Sequence, residues 1–311
     1  MNKNHKLMLL LYNYNGDIMK IGIPRSLFYY YFSDLWINFF KYLNIDVVIS
    51  PKTNKEILDL GIKYSQDEMC LSLKNYIGHV MYLKDKCDYI LIPRIDNYGI
   101  DNQTCTNFIA IYDIINNLDN LNILNYNVDL RNKETELKGL ISICKRLGIS
   151  RNQLEEAYIY AKEVSNKRKK EKVLNNLKNL KSMKKKILLV GHSYNMHDNL
   201  IGNSIINILK DMDIEIIYSD LFFEKDESDK YAKGLYWKYS KESISSISKC
   251  INKIDGIIFL SVFPCGLDSL VNELVMRKLD KPYINLVIDD IESSGGIQTR
   301  IESFVDIINS K

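Results

Sequence analysis

Short, nearly uninterrupted apolar runs, each followed by a stretch of helical length and periodicity, recur along this chain, and that alternation constrains its fold more than any other feature. Tyr89-Ile90-Leu91-Ile92 and Gly256-Ile257-Ile258-Phe259-Leu260-Ser261-Val262 are two such runs. A strand apolar at successive positions buries both faces, which is the condition of a parallel sheet covered by helices on either side. Strands joined by helices through short links imply right-handed crossovers and a doubly wound sheet. The expected fold class is therefore α/β, with two Rossmann/flavodoxin-like doubly wound lobes joined by a helical segment.

In the first half, strands are predicted at residues 20–23, 47–50, 89–92 and 121–124, and helices at 26–43, 55–64, 70–84 and 108–118. The second half repeats the plan, with strands at 186–191, 215–218, 256–262 and 283–288 and helices at 199–212, 244–254, 265–279 and 298–308. Residues 133–184 hold no strand-like run and only two glycines, Gly139 and Gly148, and read as wholly helical. The predicted organisation is an N-terminal extension at 1–18, a first lobe at 19–132, a helical connector at 133–184 and a second lobe at 185–311. Met19 immediately precedes the first strand, so the translation start is Met1 or Met19 and residues 1–18 are expected to be disordered. The apolar Met8-Leu9-Leu10-Leu11-Tyr12 is too short for a secretory core and no small-residue cleavage site follows it. The charge run Lys167-Arg168-Lys169-Lys170-Glu171-Lys172 reads either as a solvated helix face or as a docking surface for an acidic partner.

The net charge is +3, with 42 Lys and Arg against 39 Asp and Glu, so no strong field favours nucleic acid or an anionic membrane. No apolar run reaches the roughly 18 residues needed to cross a bilayer. The six cysteines are widely spaced, with no CxxC pair, which argues against zinc ribbons and thioredoxin-like chemistry and for a cytoplasmic setting with reduced thiols.

Three of those cysteines lie in loops where packing does not call for a thiol. Cys70 follows Asp67-Glu68-Met69 at a helix start, Cys105 lies in the polar segment Gln103-Thr104-Cys105-Thr106-Asn107, and Cys265 follows the strand end Phe263-Pro264. Cys265 sits at the carboxyl end of a parallel strand, where such sheets gather ligands, and at the amino end of the next helix, whose amides favour a thiolate. The three either converge as ligands or are small buried hydrophobes. Cys87, Cys144 and Cys250 fit packing. Arg25 and Arg94, each after a Pro near a strand end, are candidate clamps for a carboxylate or phosphate, or else structural ion-pair partners. His192, after Gly191, either touches a ligand or caps a turn, and Gln298 lies in the turn Gly295-Gly296-Ile297-Gln298, which either accepts an anion or caps a helix. No Walker A loop or nucleophile elbow is present.

Taken in order, Ile21-Gly22-Ile23-Pro24-Arg25, Ser50-Pro51-Lys52-Thr53-Asn54-Lys55, Asp67-Glu68-Met69-Cys70, Gly78-His79-Val80, Ile92-Pro93-Arg94, Phe263-Pro264-Cys265-Gly266-Leu267-Asp268-Ser269 and Gly296-Ile297-Gln298-Thr299-Arg300 resemble the 2-hydroxyglutaryl-CoA dehydratase-related family, in its acyl-CoA dehydratase activase-related branch. The resemblance spans residues 19–311. It implies a [4Fe–4S] or double-cubane cluster held by cysteines between Rossmann-like lobes, with Cys70, Cys105 and Cys265 as the metal-ligand candidates. One three-cysteine set per chain favours a single cubane, unless subunits of a homo- or heterodimer share one. It further implies an actin/hexokinase-type ATPase activase, carrying its own iron–sulfur cluster, as the electron donor. Substrates would be a CoA thioester, as in the lyase chemistry of 2-hydroxyacyl-CoA dehydration, or another small reducible molecule, in an anaerobic setting. The chain departs from the family pattern at Leu267, at Thr106 and at Asp289-Asp290-Ile291, where a histidine is missing. Two other readings stand beside this one: a non-catalytic cluster-bearing regulator, and a cluster-free, two-lobed small-molecule binding protein.

Overall fold

The computed structural model describes residues 18–222, 225–290 and 294–310. All but the last residue of the expected 1–18 extension lies outside them. Two four-stranded parallel sheets organise the chain. The first has the order β2-β1-β3-β4, from β1 (Lys20–Ile23), β2 (Asp46–Ile49), β3 (Tyr89–Asn97) and β4 (Ile123–Asp129). The second, β6-β5-β7-β8, repeats that order with β5 (Lys186–Val190), β6 (Glu215–Tyr218), β7 (Gly256–Val262) and β8 (Tyr283–Ile288). Every pairing is parallel, and helices flank both sheets, as two Rossmann/flavodoxin-like lobes require. In β7 all seven residues are buried, and successive side chains feed opposite cores: Ile258, Leu260 and Val262 one, Ile257 and Phe259 the other.

The first lobe carries α1 (Tyr29–Tyr42), α2 (Lys55–Tyr64), α3 (Leu71–Leu83), α4 (Thr106–Asn116), α5 (Glu136–Arg146) and α6 (Arg151–Asn179). The second carries the single turn α7 (Ser193–Met196), then α8 (Gly202–Asp211), α9 (Lys238–Cys250), α10 (Gly266–Met276) and α11 (Ser294–Asn309). Three differences from the sequence reading have physical causes. α1 starts at Tyr29, not at residue 26, because Leu27 adopts φ +46° and turns the chain first. β3 runs on through Pro93 and Arg94 to Asn97 because β4 pairs beside it, Pro93 opposite Tyr126 and Arg94 opposite Asn127. The helical stretch 133–184 splits at Gly148, whose φ of +69° is a left-handed stop that glycine adopts without strain.

Both α5 and α6 pack on the first lobe. Leu140, Ile143, Leu154, Ala157 and Ala161 lie in the same core as β1, β3 and β4. At its far end α6 reaches the second sheet. Asn176, 2% exposed, donates from Nδ2 to the Tyr218 carbonyl (3.0 Å) and accepts the Tyr218 N–H (2.9 Å), standing in for a neighbouring strand at the edge of β6.

The seam between the lobes is bonded at many points. The Leu71 N–H donates to the Phe263 carbonyl (3.1 Å), and Gln103 exchanges backbone bonds with Tyr236 and Lys238 (2.8 and 2.9 Å). The Ser193 N–H donates to the Tyr31 hydroxyl (3.2 Å), and Lys74 pairs with Asp290 at 2.9 Å. Among the described residues no helix is long and apolar enough to cross a membrane.

Candidate functional site

Cys70, Cys105 and Cys265 share a local geometry that their spacing along the chain hides. Each is the N-cap residue of a helix, in extended backbone conformation: Cys70 of α3, Cys105 of α4 and Cys265 of α10. A helix start leaves its first N–H groups without intrahelical partners and adds the positive end of the helix dipole, so each sulfur faces free amides. The Cys265 Sγ accepts the Asp268 N–H at 3.5 Å. The segments meet at the seam, because the Leu71–Phe263 backbone bond ties the start of α3 to the end of β7. All three thiols are half-buried and unpaired in disulfides.

The electrostatics of the three are linked. Burial pushes the Cys70 thiol up to about 11 and raises Cys105 and Cys265 as well. The Asp268 carboxylate adds to the rise at all three, and the amides of the helix starts oppose it. Cys265 also feels Cys70 and Cys105, and Cys70 feels Cys105. They therefore share one electrostatic environment and are protonated thiols in this state.

Of the four polar candidates, His192 joins the thiols. It follows β5, is 8% exposed, and its Nε2 lies 2.9 Å from Asp268 Oδ1. Burial works against an imidazolium there, but the charge and hydrogen bond of Asp268 outweigh it and hold His192 above its ordinary value. His192 Nδ1 and Asp268 Oδ2 are buried and have no protein partner. The His192 ring stacks on Tyr194 (5.0 Å between centroids, 14° between planes), and Phe108 meets Tyr194 edge-on. Cys105, Cys265, His192, Tyr194, Trp237 and Tyr239 line a cavity of about 30 Å³.

The other three lie elsewhere. Arg25, after β1, accepts no place on that cavity; its N–H donates to Ser50 Oγ (2.8 Å) and its guanidinium lies over the Tyr29 ring. Arg94 is 3.9 Å from Asp113, a half-exposed ion pair. Gln298 bonds along its own helix to Glu302 (2.8 Å). Asp268 was legible beforehand as an acid three residues past a helix start. Tyr239 was not, since nothing in its local sequence separates it from a core aromatic.

The sequence resemblance implies an iron–sulfur cluster. The donor chemistry fits: three cysteines, from three helices, with amides directed at their sulfurs. Among the described residues no three His, Cys, Asp or Glu side chains stand close enough to grip a single metal ion; a cubane spreads its thiolates over separate corners. The cavity beside them has about the volume of one water, so the loops around Cys105 and Trp237 must part for any larger group.

A search of curated proteins gave no match. The model of the CoA enzyme activase uncharacterised domain (DUF2229) matches residues 20–222. That span takes in the first sheet, α1 to α6, and the second lobe through β6, and so includes Cys70, Cys105 and His192 but not Cys265. With more than half of its residues inside that match, the chain belongs to the family of this CoA enzyme activase domain.

Proposed function

We propose that this protein is an iron–sulfur, electron-accepting component related to the 2-hydroxyacyl-CoA dehydratases and reduced by a partner ATPase activase. The observation that carries the reading is the meeting of three helix-capping cysteines, from both lobes, at one bonded seam. Cys70, Cys105 and Cys265 would hold a [4Fe–4S] cluster. Bound there, such a cluster supplies one electron at low potential and one iron with an open position for a carbonyl or hydroxyl oxygen. The chain's own residues set the conditions. The thiols are protonated when empty, so each gives up its proton on ligation. Asp268 holds the His192 ring through Nε2 and leaves Nδ1 bare beside the thiols, where it can hold or pass a proton. Tyr194, itself backed by Phe108, covers one face of that ring. A CoA thioester or another small reducible molecule would be the substrate.

The test is anaerobic purification with iron and sulfide assay and a visible spectrum, alongside Cys265→Ser. The expected result is about four irons per chain with a broad sulfide-to-iron band, much reduced in the variant, and bleaching of that band by an activase with ATP. Iron-free protein after reconstitution, with the variant indistinguishable from the parent, would remove the reading.

A further inference from the structure

The two sheets turn their carboxyl ends toward each other, and between them lies a second, larger cavity of about 750 Å³. Its volume is that of a chamber for a ligand of drug or cofactor size, and strand carboxyl ends are where such sheets bind ligands. Its walls are aromatic. Residues 29–32 contribute three tyrosines and a phenylalanine from the start of α1, and Tyr98, Tyr218 and Tyr239 face them. Tyr31 stacks on Tyr239 (4.4 Å, 25°), and Tyr239 also lines the thiol cavity, so one ring separates the two spaces.

The charged side chains on the wall cancel in place. Asp34 is held by Arg168 (2.5 Å) and Lys172 (3.7 Å), and Glu136 by Lys162 (2.5 Å). Lys238 pairs with Glu242 (2.7 Å), Asp220 is hydrogen-bonded to the His197 ring (3.3 Å), and Lys169 is engaged as well. A charged ligand would compete with these pairs, whose acids Asp34, Glu136 and Asp220 are largely buried. A neutral ring system can rest on the ring faces and hydroxyls and leave those pairs intact. Burial pushes the Tyr31, Tyr98 and Tyr239 phenols up, and Tyr218 to about 12, so all keep their protons; Tyr98 and Tyr239 share a hydroxyl–hydroxyl bond (3.0 Å), which leaves one of that pair, with Tyr31 and Tyr218, to donate to a ligand's polar edge.

We infer that the cleft between the sheet ends is a binding chamber for a neutral, planar aromatic or heteroaromatic molecule. This does not depend on the cluster, and binding is measured on iron-free and reconstituted protein alike.

Riboflavin and its 5′-phosphate offer the same ring without and with an anionic tail, and flavin fluorescence quenching reads both. Riboflavin is expected to bind saturably, and the phosphate roughly tenfold more weakly at low salt. Ser165→Trp, which fills the chamber from α6, should weaken riboflavin binding by roughly tenfold or more, and Tyr29→Leu, which removes a half-buried ring, should weaken it less. Circular dichroism checks that both variants are folded. The inference is overturned by wild-type protein that does not bind riboflavin saturably. It is equally overturned by a phosphate that binds as tightly as riboflavin, or by folded variants that bind as the parent does.

Discussion

His79, fully buried in α3, shows how one side chain can set a pH response. Thr53 has one hydroxyl proton and gives it to Asp198 Oδ2, so its oxygen accepts from His79 Nε2–H (3.0 Å). That fixes the tautomer and leaves His79 Nδ1 buried without a partner. A proton on Nδ1 would be an unpaired buried donor. Burial above all, with the nearby Arg25 charge, accordingly lowers His79 to about 3. The unfolded chain, with histidine near 6.5, takes up the proton first as pH falls. The stability this residue contributes is therefore complete above about 6.5 and lost between there and about 3, by a total of order 5 kcal/mol. Urea melts from neutral pH downward should show this loss, and His79→Gln should flatten the acid limb; parallel limbs in parent and variant would contradict it. The histidine and its neighbours Thr53 and Asp198 were visible in the sequence as residues, but the hydrogen-bond chain that joins them was not. They lie 26 and 145 positions apart.

At the scale of elements, α2 and α3 cross backbone to backbone. A Cβ on Gly78 would fall on the Ile57 carbonyl oxygen, and one on Gly61 on that of Lys74. This close crossing seats α3, whose first residue follows Cys70. Gly78→Ala is expected to destabilise the protein by about 2–3 kcal/mol, although alanine is the better helix former by about 1 kcal/mol. Denaturant titration decides the sign, and a stabilised variant would show that the crossing has slack. Sequence patterning identified all eight strands and most of the helices, because two-sided burial makes strands legible as apolar runs. It ended β3 early and fused α5 with α6. Strand length depends on a partner strand, and the left-handed turn at Gly148 depends on a backbone angle.

For the whole molecule, the lobes share more than a linker. Tyr194 and Tyr239 of the second lobe pack in the first lobe's core, and Leu71 of the first in a core of the second. With backbone hydrogen bonds crossing the seam and α6 gripping β6 through Asn176, the lobes should melt together. Calorimetry is expected to give one transition with equal calorimetric and van't Hoff enthalpies. Two separated transitions would mean that the lobes are energetically independent.

What the sequence determined by itself was the α/β class and the repeat of one plan in two halves, and it set apart three candidate thiols outside the apolar stripes. These follow from local periodicity and from the chemistry of short segments, which a linear reading can see. Only the tertiary structure decided that those thiols meet at a common seam, that His192 finds Asp268 while Arg94 and Gln298 find other partners, and that the sheet ends enclose an aromatic chamber. Those outcomes depend on contacts between residues far apart in the chain, set by how the two sheets face each other. No local pattern encodes that orientation.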